Sequence, residues 1–338
     1  MEPKLAIRFT AQFIEQLFDH EEVENLASFT RKMFENANLT GKKLEKILTE
    51  SSRHKSFLKT YLVLKKYKSF IFLMPLIQGD INPVDKRKER LLFTRIISIG
   101  RKAKENEWAP HAISHHCIQR IFERLEFENL SDEKSVRESV LQQFDYLPIV
   151  ETALNRVTTL AMELELDGKE IELSAIKNIL SGLSISIPTT DGILKAEYNP
   201  PNVYVRTFLA DNLLPPSELN RREKNLKVLR LFKDNPIIFY PGVRDFLSDI
   251  ELRSELLFWD VASFILLGNL EETVDDQKID ATQKRQLVTL LRLIKSKNTF
   301  EHVKLIMSLI NDPENESLSA KELSKVFQKE IRKFLRNI

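Results

Sequence analysis

The chain has 338 residues, of which 42% are hydrophobic and 30% charged, a composition typical of folded globular proteins and not of disordered ones. Its length predicts two or three domains, and its single cysteine excludes an internal disulfide and suits a reducing compartment. We see no secretory signal, no apolar run long enough to cross a bilayer and no glycine-rich phosphate loop. We therefore predict a cytoplasmic protein with no membrane association and no cofactor.

The net charge of +2 conceals a basic stretch, since residues 41–104 hold 17 Lys and Arg against 5 Asp and Glu. Such a stretch attracts polyanions, and RNA or DNA is the predicted partner. The alternative is a solvated helical surface, because base-stacking aromatic residues do not recur among these cations. The predicted nucleic-acid-binding residues are Lys65, Lys66, Lys68, Lys86, Arg87, Lys88, Arg90, Arg101 and Lys102.

The first third of the chain mixes clear and ambiguous segments. Residues 1–50 show the spacing of short amphipathic helices, with an apolar stripe at Phe9, Phe13, Leu17 and Phe18. Residues 57–101 fit either strands or helix. The pair Ala109-Pro110, after Trp108, predicts a break because the residue before a proline avoids the helical conformation. Helices are then predicted from 115 to 125, from the cap-like Ser131 to 146, over 149–165 and over 173–181.

The sequence pattern changes at residue 183, where polar and apolar residues begin to alternate. Alternation over 183–187, a turn ending in Asp191-Gly192, and apolar segments at 193–198 and 203–209 predict a three-stranded antiparallel meander. From residue 218 onward the spacing again predicts helices. The predicted fold is therefore mainly α with a central α+β module, divided into regions 1–108, 109–216 and 217–338.

The helix predicted at 115–125 carries the candidate catalytic groups. At about 100° per residue, Arg120 lies roughly 40° and Arg124 roughly 80° from His116, away from the Ile and Phe side. Ser114 stands where an N-cap belongs, and the positive end of the helix dipole disfavours an imidazolium in the first turn. A neutral His116 can accept a proton, while two arginines can hold a phosphate. This set suits metal-independent RNA cleavage by attack of the ribose 2′-hydroxyl on its own phosphodiester.

Three alternatives use the same segment. His111, His115 and His116 could bind a metal, but the chain offers neither the carboxylate of a metalloprotease helix nor a second cysteine. Cys117 could act as a nucleophile, although sequence neighbours on a helix do not face each other, which favours a buried structural cysteine. A helix with His and Arg on a solvated face is the simplest interpretation. We predict no metal site.

Ser114, His116, Arg120 and Arg124 follow one another at spacings of two, four and four residues. This pattern resembles the opening helix of bacterial ribonuclease toxins of the barnase-like, colicin-like and RelE-like superfamily. The resemblance covers about residues 111–213. It implies that the helix precedes an antiparallel sheet whose late strand brings polar side chains into the active cleft, and on this chain those are Arg206 and Thr207. By strand alternation, Tyr204 and Arg206 face one way and Thr207 the other.

Two hypotheses about function follow. The first is a ribonuclease-like protein of a toxin or defence system, in which His116, Arg120, Arg124, Arg206 and Thr207 form the catalytic site. The second is a helical interaction or adaptor protein, or a nucleic-acid-binding subunit of a larger assembly with a protein partner. The leucine-rich helices after residue 218 and the lack of a cofactor motif favour the second.

Overall fold

We describe a computed structural model of the chain over residues 1–17, 72–81, 90–99, 105–127, 129–166, 169–233 and 263–297, with scattered positions between 308 and 333. The fold is α+β. Its helices are α1 (Pro3–Leu17), α2 (His115–Arg124), α3 (Glu133–Gln142), α4 (Leu147–Met162), α5 (Leu173–Leu180), α6 (Pro216–Lys233), α7 (263–272) and α8 (Ala281–Lys297). Its strands are β1 (Phe72–Ile81), β2 (Arg90–Ile99), β3 (Glu105–Ser114), β4 (Glu165–Leu166), β5 (Lys169–Glu170), β6 (Leu183–Pro188), β7 (Gly192–Asn199) and β8 (Asn202–Ala210).

The described residues fall into two compact units. Unit 1 takes those within Met1–Gln143 and Tyr204–Asn212. Unit 2 takes those within Phe144–Val203, Leu213–Asn235 and Leu247–Ile338. The division cuts β8 after its second residue, so most of that strand belongs with the N-terminal elements.

The sheet strands of unit 1 lie in the order β1-β2-β3-β8. β1 and β2 are antiparallel, from Phe72 opposite Ile99 to Ile81 opposite Arg90. β2 and β3 are also antiparallel, with a shift of register between Thr94 and Ile96. Of the two structures that the sequence left open for residues 57–101, strand and helix, residues 72–81 and 90–99 therefore form strands.

Two prolines account for one wrong prediction, the break at Trp108, and for one segment where strand and helix could not be distinguished. The break predicted at Trp108 is wrong, because Pro110 lies inside β3. The residue before a proline is pushed towards extended backbone, which excludes helix but suits a strand. Pro75 lies in β1, the end strand of the order, and an edge strand tolerates a residue that has no N–H to donate.

The predicted antiparallel meander is only partly correct. Its three strands exist as β6, β7 and β8, but the sheet is mixed and is not a three-stranded antiparallel meander. The meander prediction also left out β3, which is a neighbour of β8 in the sheet. Pairing between segments that are far apart in sequence leaves no local pattern from which to predict it.

In unit 2, β6 and β7 form an antiparallel hairpin, with Leu183 opposite Tyr198 and Pro188 opposite Ile193. The turn is closed by the backbone N–H of Thr189, which donates to the carbonyl of Gly192 at 2.8 Å. Tyr198 is fully buried and belongs to the core. The hairpin predicted around Asp191-Gly192 is confirmed.

Glutamine side chains fix the segment after α7 to the backbone of this unit. The side chain of Gln277 accepts a hydrogen bond from the backbone N–H of Ser184 at 2.7 Å and donates one to the carbonyl of the same residue at 3.0 Å. Gln283 donates to the carbonyls of Asn178 and Ser181, at 3.0 and 2.7 Å, where α5 ends. Polar groups left open by the ends of regular structure are thereby satisfied.

Candidate functional site

The start of α2 is fixed by Ser114, the last residue of β3. Its hydroxyl accepts a hydrogen bond from the backbone N–H of Cys117 at 3.0 Å and donates to the carbonyl of Arg206 at 2.7 Å. Ser114 is completely buried. The predicted N-cap is confirmed, and the same hydroxyl also ties the helix to β8. The cap of the next helix differs from the prediction, since Asp132 and not Ser131 accepts from the backbone N–H of Ser135, at 3.2 Å.

The packing face of α2 is the one that the helical wheel predicts. Ile118, Ile121 and Phe122 are at most 1% exposed. The ring of Phe122 lies 5.9 Å from those of Phe9 and Phe13 on α1, centroid to centroid. Aromatic contacts of this kind stabilise the packing of α2 on α1, and the side chains on the opposite face of α2 lie away from this core.

His116 is exposed on that opposite face. The Nε of Arg120 donates to the Nε2 of His116 at 3.3 Å. This contact places the guanidinium of Arg120 beside one ring nitrogen of His116. His116 and Arg120 lie one turn apart on the same face of the helix, as the spacing predicts, and the hydrogen bond between them is an addition to that prediction.

Glu123 joins the same cluster, and the sequence analysis missed it. Its carboxylate forms an ion pair with the guanidinium of Arg120 and accepts from Gln119 Nε2 at 2.7 Å. Its side chain is 8% exposed, against 36% for Arg120. Burial raises the pKa of Glu123, but the hydrogen bonds from Gln119 and Arg120 and the charges of Arg120 and Arg124 outweigh it, so the pKa lies below its ordinary value. The spacings of three and four residues to Arg120 and Gln119 were the available signal.

Arg124 is engaged with the backbone of β8. Its guanidinium donates to the carbonyl of Phe208, a fully buried residue. Burial, followed by the charge of Arg120, lowers the pKa of Arg124 from its ordinary value. With the contact from Ser114 to Arg206, this bond holds α2 against residues 206–208 of β8.

On β8, the guanidinium of Arg206 lies 5.7 Å from the centre of the Tyr204 ring, as expected for side chains on one face of a strand. Thr207 is half-buried, and among the described residues none forms a hydrogen bond with its side chain. Val203 and Val205 are buried, but so are Phe208 and Ala210. The alternation therefore changes phase between Arg206 and Thr207, which leaves two consecutive side chains half-exposed.

Most of the predicted nucleic-acid-binding residues lie outside the described residues: Lys65, Lys66, Lys68, Lys86, Arg87, Lys88, Arg101 and Lys102. Arg90 is described only as backbone, at the start of β2 opposite Ile81. The interface predicted over 41–104 remains a prediction.

The three clustered histidines are divided between two elements. His111 lies in β3, while His115 and His116 begin α2. Within the described ranges there is no group of three or more His, Cys, Asp or Glu placed to hold a metal ion. Cys117 is completely buried. The same part of the chain contains no helix that is both long and apolar enough to span a membrane.

Comparison with known proteins gives no further guide to this site. No protein-family model, no curated protein and no solved structure matches the chain.

Proposed function

We propose that the chain is a metal-independent ribonuclease-like protein in which His116 moves the proton and Arg120 binds the phosphate. The observation that carries this proposal is the contact from Arg120 Nε to Nε2 of an exposed His116. It supports a proton acceptor beside a permanent positive charge, which is the pair of groups that phosphodiester cleavage needs.

In the proposed reaction, the ribose 2′-oxygen attacks the adjacent phosphorus and the bond from phosphorus to the 5′-oxygen breaks. His116 takes the proton of the 2′-hydroxyl, and the departing 5′-oxygen takes a proton from water. The products are a 2′,3′-cyclic phosphate and a 5′-hydroxyl. An incoming phosphate draws the guanidinium of Arg120 towards itself, which releases Nε2 of His116 to accept the proton.

The neighbouring residues take supporting roles in this proposal. Glu123 orients Arg120 through their ion pair. Arg124 is a positioning residue, because it holds α2 against β8. Arg206 and Thr207 are proposed to assist from the strand, where both are half-exposed. A role in a toxin or defence system follows from the resemblance alone and stays a prediction.

The test is cleavage of a labelled RNA in the presence of a chelator. We expect His116→Ala to lower the rate about 10²- to 10⁴-fold, the usual contribution of a general acid or base, and Arg120→Ala to lower it about 10²-fold or more. His115→Ala is the matched control, because it removes the adjacent histidine of the same first turn. Thermal melting of each variant shows whether it is folded. Absence of cleavage by the wild type, or equal rates for folded His116→Ala and wild type, would contradict the proposal.

A second candidate function is a protein-interaction subunit. The observation that favours it is that both arginines of α2 already have partners, Glu123 for Arg120 and the Phe208 carbonyl for Arg124. Mass measurement after size-exclusion chromatography at low salt tests it. A stoichiometric protein partner that carries no nucleic acid would support this alternative, and a partner-free protein would contradict it.

A further inference from the structure

Helix α6 carries two classes of positively charged side chain. Of its 18 residues, six are Lys or Arg and two are Glu. Some of the cations are held by other parts of unit 2, and three point to solvent. The held cations fix the helix in place, and the exposed ones give it a charged surface.

The held cations are Arg221 and Arg222. Arg222 is 7% exposed and donates to the carbonyls of Gly192 at 3.0 Å and Thr189 at 2.8 Å, with a further bond to that of Thr190. Arg221 Nε lies 3.0 Å from a carboxylate oxygen of Glu272. Arg222 thus lies on the inner side of the helix beside leucine and valine, whereas Arg221 is held at its half-buried edge.

The first turn of α6 is held in a similar way. Glu218 forms an ion pair with Lys195 of β7, and Lys195 also donates to the hydroxyl of Ser186 on β6 at 2.9 Å. Both charged groups are therefore engaged within unit 2. The helix is anchored on the hairpin of β6 and β7 from its first turn to Arg222.

The exposed cations are Lys224, Lys227 and Arg230. They follow one another at three-residue spacing, which advances them by about 4.5 Å along the helix axis at each step. Within the part of the chain that the structure describes, neither a hydrogen bond nor an ion pair engages their side chains. One acid, Glu223, is also exposed on this helix.

Over residues 217–230, the exposed side chains of this helix do not suit two classes of partner. The apolar side chains Leu226, Val228 and Leu229 are buried, and the exposed positions between 217 and 230 are Ser217, Asn220, Glu223, Lys224, Lys227 and Arg230. A lipid surface needs an exposed apolar face on such a helix, and a protein partner needs an apolar or aromatic centre to the interface. A row of cations without either fits a partner that presents repeated negative charge.

We propose that Lys224, Lys227 and Arg230 form a nucleic-acid-binding face that contacts the phosphate backbone without recognising base sequence. Long cationic side chains bind phosphates by charge, while sequence is recognised by groups that reach base edges or stack on bases. Between residues 217 and 230, where the side chains of α6 are described, the exposed positions carry cations but no aromatic side chain. Binding at this face does not require the cleavage chemistry proposed for His116.

The experiment measures binding of the full chain to a labelled DNA duplex of arbitrary sequence over a range of salt concentrations. DNA lacks the 2′-hydroxyl, so the proposed cleavage cannot occur on this probe. The triple variant Lys224→Gln, Lys227→Gln, Arg230→Gln should bind about 10-fold or more weakly at low salt. The slope of log K against log salt should become shallower by about 0.9 for each phosphate that the variant no longer neutralises.

The matched control is Lys278→Gln, Arg285→Gln, Arg292→Gln, which removes the same charge from three other exposed positions of unit 2. It should keep most of the affinity, whereas Glu223→Gln should strengthen binding a few-fold. Equal losses in the two triple variants, no binding by the wild type, or a loss that depends on base sequence would overturn the proposal. RNA cleavage that persists in the first triple variant leaves the proposal for His116 intact, and duplex binding that persists in His116→Ala leaves this one intact.

Discussion

Helices α2 and α6 both carry arginines or lysines at helical spacing, yet the structure uses these charges differently. On α2, Arg120 and Arg124 are bonded to Glu123 and to the Phe208 carbonyl. On α6, the inner cation Arg222 is bonded to three backbone carbonyls, while Lys224 beside it is exposed. The comparison shows that spacing alone does not separate a cation that supports the fold from one that is available to a ligand.

The largest expected effect comes from removing the inner cation of α6. Arg222→Ala removes a buried side chain and takes the guanidinium donor from the carbonyl of buried Thr189, and we expect a loss of about 3 kcal/mol in the free energy of unfolding. Arg230→Ala, about two turns further along the same helix, should change it by less than about 0.5 kcal/mol. Denaturant unfolding of both variants measures the difference. Similar losses for the two would remove the distinction between held and exposed cations.

An intermediate effect is expected at the start of α2. Ser114→Ala removes the N-cap and the bond to the Arg206 carbonyl, and should cost about 1–2 kcal/mol in the free energy of unfolding. Ser114→Thr keeps a hydroxyl and serves as the control. Urea titration followed by circular dichroism checks both, and an unchanged midpoint for Ser114→Ala would show that neither bond stabilises the helix.

The smallest expected effect is a pH dependence of α2. The pKa of Glu123 is below its ordinary value in the fold, so its ionised form contributes stability above the unfolded pKa, and that stability is lost as the pH falls through the folded pKa. Wild type should therefore lose stability in acid more steeply than Glu123→Gln. Melting temperatures compared between neutral pH and the acidic range below about 4.5 test this. Parallel curves for the two proteins would mean that the ion pair with Arg120 adds nothing to stability.

Much of α2 was predictable from the sequence because its signals are local. The sequence predicts Ser114 as N-cap and the buried side of Ile118, Ile121 and Phe122, and the structure has both. The spacing also places His116 and Arg120 on a common face, although their hydrogen bond was not predicted. Glu123 satisfies the same spacing rule, but an acid between Arg120 and Arg124 does not by itself reveal which of the two arginines it pairs with.

The features that escaped prediction depend on contacts between distant segments. The sequence near Phe208 does not indicate that its carbonyl accepts a hydrogen bond from Arg124. The sequence near Ser114 does not indicate that its hydroxyl donates to the carbonyl of Arg206. The position of β3 beside β8 is of the same kind. Pro110 misled for a different reason, since its restriction on the preceding residue is shared by strands and by breaks.

The side chain of Gln277 has a consequence for how this protein behaves in concentrated solution. Among the strands that the structure describes, β6 is the last in the sheet order, and an end strand with open N–H and carbonyl groups can recruit a strand from another molecule. By bonding both backbone groups of Ser184, the amide occupies the place that an intruding strand would take. One glutamine thus discourages edge-to-edge aggregation without adding a charge to the surface.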